Sequence, residues 1–198
     1  SNAAQGTWVA YVMSSGGTLN IKGGTFNGVV AETAAAANAC GIICADAKAI
    51  VNIYGGTFSS NGAILDMRNN TGGTPNPSAT LYAGTFSADP RVSGLYSSNL
   101  ITVDSKSDIK EENGKWVVFV RPVAKIGDVE YETLEAAVAA AKAGNTITLI
   151  EDVTLAEELE IPAGIIFNGN GKQINGTIYA GGDLTFAGHT KVTKFSAS

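Results

Sequence analysis

Thr18-Leu-Asn-Ile-Lys-Gly-Gly-Thr-Phe26, Ile50-Val-Asn-Ile-Tyr-Gly-Gly-Thr-Phe58 and Ser78-Ala-Thr-Leu-Tyr-Ala-Gly-Thr-Phe86 are three copies of one phrase. Each begins with alternating apolar and polar residues, meets a glycine corner and resumes at Thr-Phe. Alignment on the corner gives apolar columns Leu19/Val51/Ala79, Ile21/Ile53/Leu81 and Phe26/Phe58/Phe86. It also gives polar or amphipathic columns Asn20/Asn52/Thr80 and Lys22/Tyr54/Tyr82. Side chains of a strand alternate between its faces, so the first set is an inward face and the second an outward one. The corners recur 32 and 28 residues apart. A strand-rich repeat of this length cannot bury its face alone; copies stack at the ~4.8 Å strand spacing and like side chains form ladders. The expected fold is all-β, a parallel β-solenoid.

Outward from the three copies, a second strand precedes each, at Trp8–Met13, Gly41–Ala45 and Ala63–Arg68. Residues 29–38 and 69–77 read as side loops. The coil region spans 4–88, after Ser1-Asn2-Ala3, which reads as a tag-cleavage scar. Residues 89–123 break the pattern. Leu100–Val103 and Lys115–Val120 read as strands, with Glu111-Glu-Asn-Gly114 as the turn of a terminal hairpin that covers the end of the stack. Residues 124–198 start afresh. Leu134, Ala137, Val138 and Ala141 have helical spacing, with Thr133 as N-cap and Gly144 at the C′ position, so 133–143 is one short capping helix. Strands are expected at 146–150, 153–155, 159–161, 165–167, 173–174, 177–179, 184–186 and 191–193. Asp183-Leu-Thr-Phe-Ala-Gly188 is a faint fourth copy of the opening phrase.

Composition limits the function classes. The chain has 198 residues, 44% hydrophobic and 16% charged, with net charge −5. Residues 1–103 hold four acids and four bases, and 104–198 hold fourteen acids and nine bases. Without clustered Lys and Arg, nucleic acid is an unsuitable partner. No apolar run approaches the ~20 residues of a membrane-spanning helix, so no membrane insertion is expected. Cys40 and Cys44, four apart on a strand, are too far apart to bridge unless Gly41 turns tightly, and read as buried thiols. Two cysteines and a distant His189 cannot close a structural zinc site, and neither a metal nor another cofactor is expected.

Tyr131-Glu-Thr-Leu-Glu-Ala-Ala-Val-Ala-Ala-Ala-Lys-Ala-Gly-Asn-Thr-Ile-Thr-Leu-Ile-Glu-Asp-Val-Thr-Leu155 resembles the capping helix and first strands of right-handed parallel β-helix proteins of the pectate-lyase-like superfamily. The Gly-Gly-Thr-Phe copies, the Phe86-Ser-Ala-Asp-Pro90 exit and the Trp116-Val-Val strand resemble repeat modules of large surface or secreted proteins of gut bacteria. The resemblance covers nearly all of 8–195. It implies a right-handed parallel β-helix, an extracellular or cell-surface location, and either a structural and adhesive role or polysaccharide lyase or hydrolase chemistry. In such modules the helix comes first and the hairpin last; here the order is reversed. Either the chain holds the end of one module and the start of the next, or the coil at 183–195 stacks on the coil at 8–26, in the same chain or a neighbour. The second arrangement would make 4–88 and 124–198 one continuous solenoid and permits end-to-end stacking with another chain.

Catalytic signals are sparse. Asp66 and Arg68, two apart on Ala63-Ile-Leu-Asp-Met-Arg68, would face outward together and are the one candidate for lyase chemistry. Without further acids on neighbouring strands they read as a solvated ion pair. Glu111-Glu112 and Glu157-Glu158 fall in turns, and His189 follows a corner, so paired-carboxylate hydrolysis has no evident site. The outward column Lys22/Tyr54/Tyr82, with Asn20, Asn52 and Thr80 alongside, is the candidate ligand face. It reads either as an aromatic strip for a glycan or host surface, or as a ladder that stabilises the sheet.

Overall fold

The computed structural model describes residues 9–13, 15–29, 40–68, 74–92 and 98–197. The expected side loops lie outside the described residues, except for residues 29 and 74–77. The chain is mostly β-strand and forms two compact units, Ser1–Val120 and Arg121–Ser198, each with its own apolar core.

In the first unit the repeated phrase sets the pattern. In chain order come β1 (Ala10–Val12), β2 (Gly17–Ile21), β3 (Thr25–Gly28), β4 (Cys40–Ala45), β5 (Ala49–Ile53), β6 (Thr57–Ser60), β7 (Ala63–Met67), β8 (Ser78–Leu81) and β9 (Gly84–Phe86). Every third strand joins the same sheet, giving the parallel runs β1-β4-β7, β2-β5-β8 and β3-β6-β9. The register sets Leu19 beside Val51 beside Ala79, and Ile21 beside Ile53 beside Leu81, so the apolar columns are the core rows. Phe26, Phe58 and Phe86 stack in a continuous row, with ring centroids 4.9 and 5.0 Å apart and planes within 7° and 11°.

The corner glycines carry the turn between the second and third sheets. Gly24, Gly56 and Gly84 all have positive φ, at 112°, 119° and 150°. A Cβ on Gly56 would lie 3.1 Å from the Gly24 carbonyl oxygen and 3.2 Å from the Phe58 ring. Gly56→Ala is therefore expected to lower stability by about 1–3 kcal/mol. Gly23→Ala, with no atom within 4 Å of the new Cβ, should change it little. Urea midpoints of the two variants check the pair.

The hairpin differs from expectation. β11 (Ser107–Glu112) pairs antiparallel with β12 (Lys115–Val120). The turn is only Asn113-Gly114, both residues at positive φ, as a two-residue hairpin loop of this composition requires. Glu111 and Glu112 are thus strand residues, not turn residues. β10 (Ile101–Val103) is no part of the hairpin; it adds a fourth parallel strand beside β8. The charged run Asp108–Glu112 carries no β-propensity signal, and pairing with β12 overrides it. β12 also lies antiparallel to β9, setting Trp116 beside Phe86, so the hairpin occupies that edge of the third sheet.

The second unit contains β13 (Ala124–Ile126), β14 (Val129–Tyr131), α1 (Leu134–Ala140), β15 (Thr146–Leu149), β16 (Val153–Thr154), β17 (Leu159–Ile161), β18 (Ile165–Asn168), β19 (Gln173–Ala180), β20 (Leu184–Ala187) and β21 (Lys191–Ala197). The Thr133 hydroxyl accepts from the Ala136 amide at 3.1 Å, a standard N-cap. Leu134, Ala137 and Val138 face the core. The helix ends earlier than its spacing suggests. Ala141 is the C-cap, and Gly144, at φ 85°, serves the following turn, where its amide donates to the Gly164 carbonyl. The hairpin β13–β14, turning at Gly127-Asp128, was not expected. β13 runs antiparallel to β15, whereas β15, β18 and β20 are parallel. The two strands expected at 173–174 and 177–179 are one, β19, interrupted by an irregularity where Gly176 has φ 146°. Its partners are β16, β17 and β21.

Candidate functional site

The outward side of β2-β5-β8-β10 carries the predicted ligand residues. Asn20, Asn52, Thr80 and Thr102 lie in one row across the four strands. The Asn52 side-chain amide donates to the Asn20 side-chain oxygen at 2.9 Å. The next outward row is Lys22, Tyr54, Tyr82 and Asp104, fixed by backbone bonds from Tyr54 to Ile21, Tyr82 to Ile53 and Asp104 to Leu81. The structure thus brings Asn20, Asn52, Lys22, Tyr54 and Tyr82 together on one face. Asp104 is a member that the sequence reading passed over, because Leu100–Val103 was assigned to the hairpin.

The tyrosines do not form a flat strip. Their rings stack on each other, 4.4 Å between centroids and 13° between planes. One face of each ring is therefore spent on the other. The ring face left to Tyr54 is the one on the β2 side, where Lys22 is its neighbour in register. Burial, then Tyr54, then Asp104 push the Tyr82 hydroxyl above its ordinary pKa, which favours its neutral form.

Asp66 and Arg68 lie elsewhere, on the outer side of β1-β4-β7, and here the expectation of a solvated pair fails. They are 4% and 5% exposed, and the Arg68 Nε donates to Asp66 Oδ2. Nor are neighbouring acids lacking. Asp66 pairs in register with Cys44, which pairs with Tyr11. One step along, the Arg68 amide donates to the Ala45 carbonyl, which sets Asp46 beside Arg68. Asp46 is buried; it accepts from the Ala47 amide at 2.7 Å and from the Tyr11 hydroxyl at 3.3 Å. Burial and then Asp46 and Cys44 raise the Tyr11 pKa. Tyr11, Cys44, Asp46, Asp66 and Arg68 are therefore one polar cluster. Counting the strand one residue beyond Ala45 would have found Asp46.

Cys44 is a buried thiol outside any disulfide. His189 is an exposed residue between β20 and β21, as its position after a corner suggests. Among the described residues no group of three or more His, Cys, Asp and Glu side chains is placed to hold a metal ion. Among them, too, no helix is long and apolar enough to cross a membrane. No family model, curated protein or solved structure matches the chain.

Proposed function

We propose that this chain is a structural and adhesive module of a secreted or cell-surface bacterial protein, built as a right-handed parallel β-helix. On this reading the β2-β5-β8-β10 face meets a glycan or a host surface. The observation that carries it is the register. Three parallel sheets take every third strand, and chemically alike side chains fall into rows inside and outside. Parallel crossovers in such an arrangement are right-handed almost without exception. The outer rows then hold two amides, two phenols, a lysine and an aspartate at the spacing of the strands.

Recognition on this face relies on hydrogen bonds from Asn20, Asn52 and the two phenols, with sugar stacking left to the outer ring faces, that of Tyr54 beside Lys22 and that of Tyr82 beside Asp104. A glycan array with neutral and acidic polysaccharides tests this. Saturable binding without turnover is expected. Tyr54→Ala should weaken it about tenfold, the scale of one lost stacking contact. Lys22→Ala should reduce the preference for acidic over neutral chains. Binding that survives Tyr54→Ala and Tyr82→Ala together would remove this face from the reading.

One observation favours a second reading, a polysaccharide lyase or hydrolase: the cluster of Tyr11, Asp46, Asp66 and Arg68. Buried carboxylates beside a guanidinium and a half-exposed phenol are groups that can move protons. Turnover on any acidic polysaccharide, abolished by Arg68→Met, would replace the first reading with this one.

A further inference from the structure

The chain has six tyrosines, and the repeat brings two of them together. Tyr54 and Tyr82 are 28 residues apart in sequence and occupy the same position in consecutive copies of the phrase. Each follows its strand, β5 or β8, and its amide is held by the copy before it. Tyr54 donates to the Ile21 carbonyl at 2.7 Å, and Tyr82 to the Ile53 carbonyl at 2.8 Å. With the backbones fixed in this way the rings meet face to face, 4.4 Å between centroids and 13° between planes. The two hydroxyls are also near enough to interact, so the ring carbons flanking one hydroxyl lie beside those flanking the other. Of the ring contacts among the described residues, this is the one between tyrosines. The pair is open to reagents, since Tyr54 is 43% exposed and Tyr82 is half-buried. Lys22 and Asp104 close the row on either side, so the run of phenols is two rings long.

We propose that Tyr54 and Tyr82 form an oxidative cross-linking site, at which a haem peroxidase using hydrogen peroxide joins the two rings as dityrosine. Each phenol gives up one electron and its hydroxyl proton, leaving a pair of tyrosyl radicals. The radicals combine through a carbon next to the oxygen on each ring. Each of those carbons then loses its hydrogen as a proton, the oxygens take up protons, and both rings become aromatic again. The chain loses two hydrogens in all, and the peroxide is reduced to two waters. Radicals formed in a stacked pair meet before either diffuses to another partner, so the fold supplies the selectivity. Bond formation requires the rings to turn about their side-chain torsions, and the exposure of Tyr54 leaves room for this. The product ties β5 to β8 and restricts the unfolded chain as a disulfide does. The inference rests on ring geometry and on no ligand, so failure of glycan binding leaves it standing.

The full chain, kept dilute, is treated with hydrogen peroxide and a haem peroxidase and followed by dityrosine fluorescence and mass spectrometry. The expected product is a monomer lighter by two hydrogens. Its location can be read without ambiguity. Tryptic cleavage after Lys48, Arg68 and Arg91 leaves Tyr54 in peptide 49–68 and Tyr82 in peptide 69–91, each the single tyrosine of its peptide. These two peptides should be recovered joined, while Tyr131 and Tyr179, treated in the same tube, remain uncoupled. Tyr54→Phe and Tyr82→Phe keep the ring stack and lack one phenol, so each should lose the joined peptide and nearly all the fluorescence, with folding checked by circular dichroism. The cross-linked chain should also have a higher urea midpoint than the untreated one. Coupling found only between separate chains, a joined peptide that omits residues 49–68 or 69–91, fluorescence undiminished in Tyr54→Phe, or no coupling at all would overturn the proposal.

Discussion

Phe58→Ala is expected to destabilise the first unit by about 3–5 kcal/mol, the range for removing a buried aromatic side chain. Phe58 is fully buried and is the middle ring of its row, so its loss opens a cavity and breaks two stacking contacts, at 4.9 and 5.0 Å. Phe26→Ala should cost clearly less, since Phe26 is half-buried and, among the described residues, has one ring neighbour. Phe58→Leu, which keeps most of the volume, should fall between them. Trp116 lies in the first unit and residues 121–198 contain no tryptophan, so intrinsic fluorescence of Trp116 during urea unfolding reports on that unit. The midpoint should fall at an unchanged denaturant slope. Equal losses for Phe26 and Phe58 would show that the row is not continuous with the core.

The gradient along this row explains what could be read from the sequence. Where a repeat puts like residues in register, alternation decides which side is core, and every apolar column assigned from the three copies is a core row. Glycine positions were legible for the same reason, since each corner needs a backbone that only glycine adopts without strain. What escaped was pairing that no local pattern specifies. Asp108–Glu112 is charged and unremarkable as a strand, yet its neighbours in the hairpin make it one. Val129–Tyr131 forms a strand because Gly127 reverses the chain there, in a stretch too short for periodicity to register.

The candidate face was legible as a set of residues but not as a surface. The sequence shows that Tyr54 and Tyr82 are neighbours; it does not say whether rings at strand spacing lie flat or stack. Stacking wins because the strand separation is close to the centre-to-centre spacing of two stacked rings, so each ring covers apolar surface on the other that would otherwise face water. The same stacking narrows the possible sugar contact from a strip to the two outer ring faces of the pair.

Asp66→Asn is expected to cost about 3–5 kcal/mol, far more than a surface ion pair could, because it removes a charge partner from a buried guanidinium. Two outward positions on a strand were expected to be wet. Instead Asp66 and Arg68 are almost wholly covered, and Asp46 and Tyr11 complete a polar cluster around them. Burial changes the sign of the argument. The pair has already met the cost of leaving water, so its contribution lies in the penalty for breaking it rather than in its attraction. Replacing both partners by apolar residues of similar size, Asp66→Leu with Arg68→Met, should therefore restore much of the stability lost in Asp66→Asn alone. Chemical denaturation of Asp66→Leu, Arg68→Met and the double variant gives the coupling directly. The same proteins separate the two functional readings. If the cluster is structural, the double variant keeps whatever glycan binding the unaltered chain has, because the β2-β5-β8-β10 face is untouched. If it is catalytic, turnover disappears in the double variant while the fold survives.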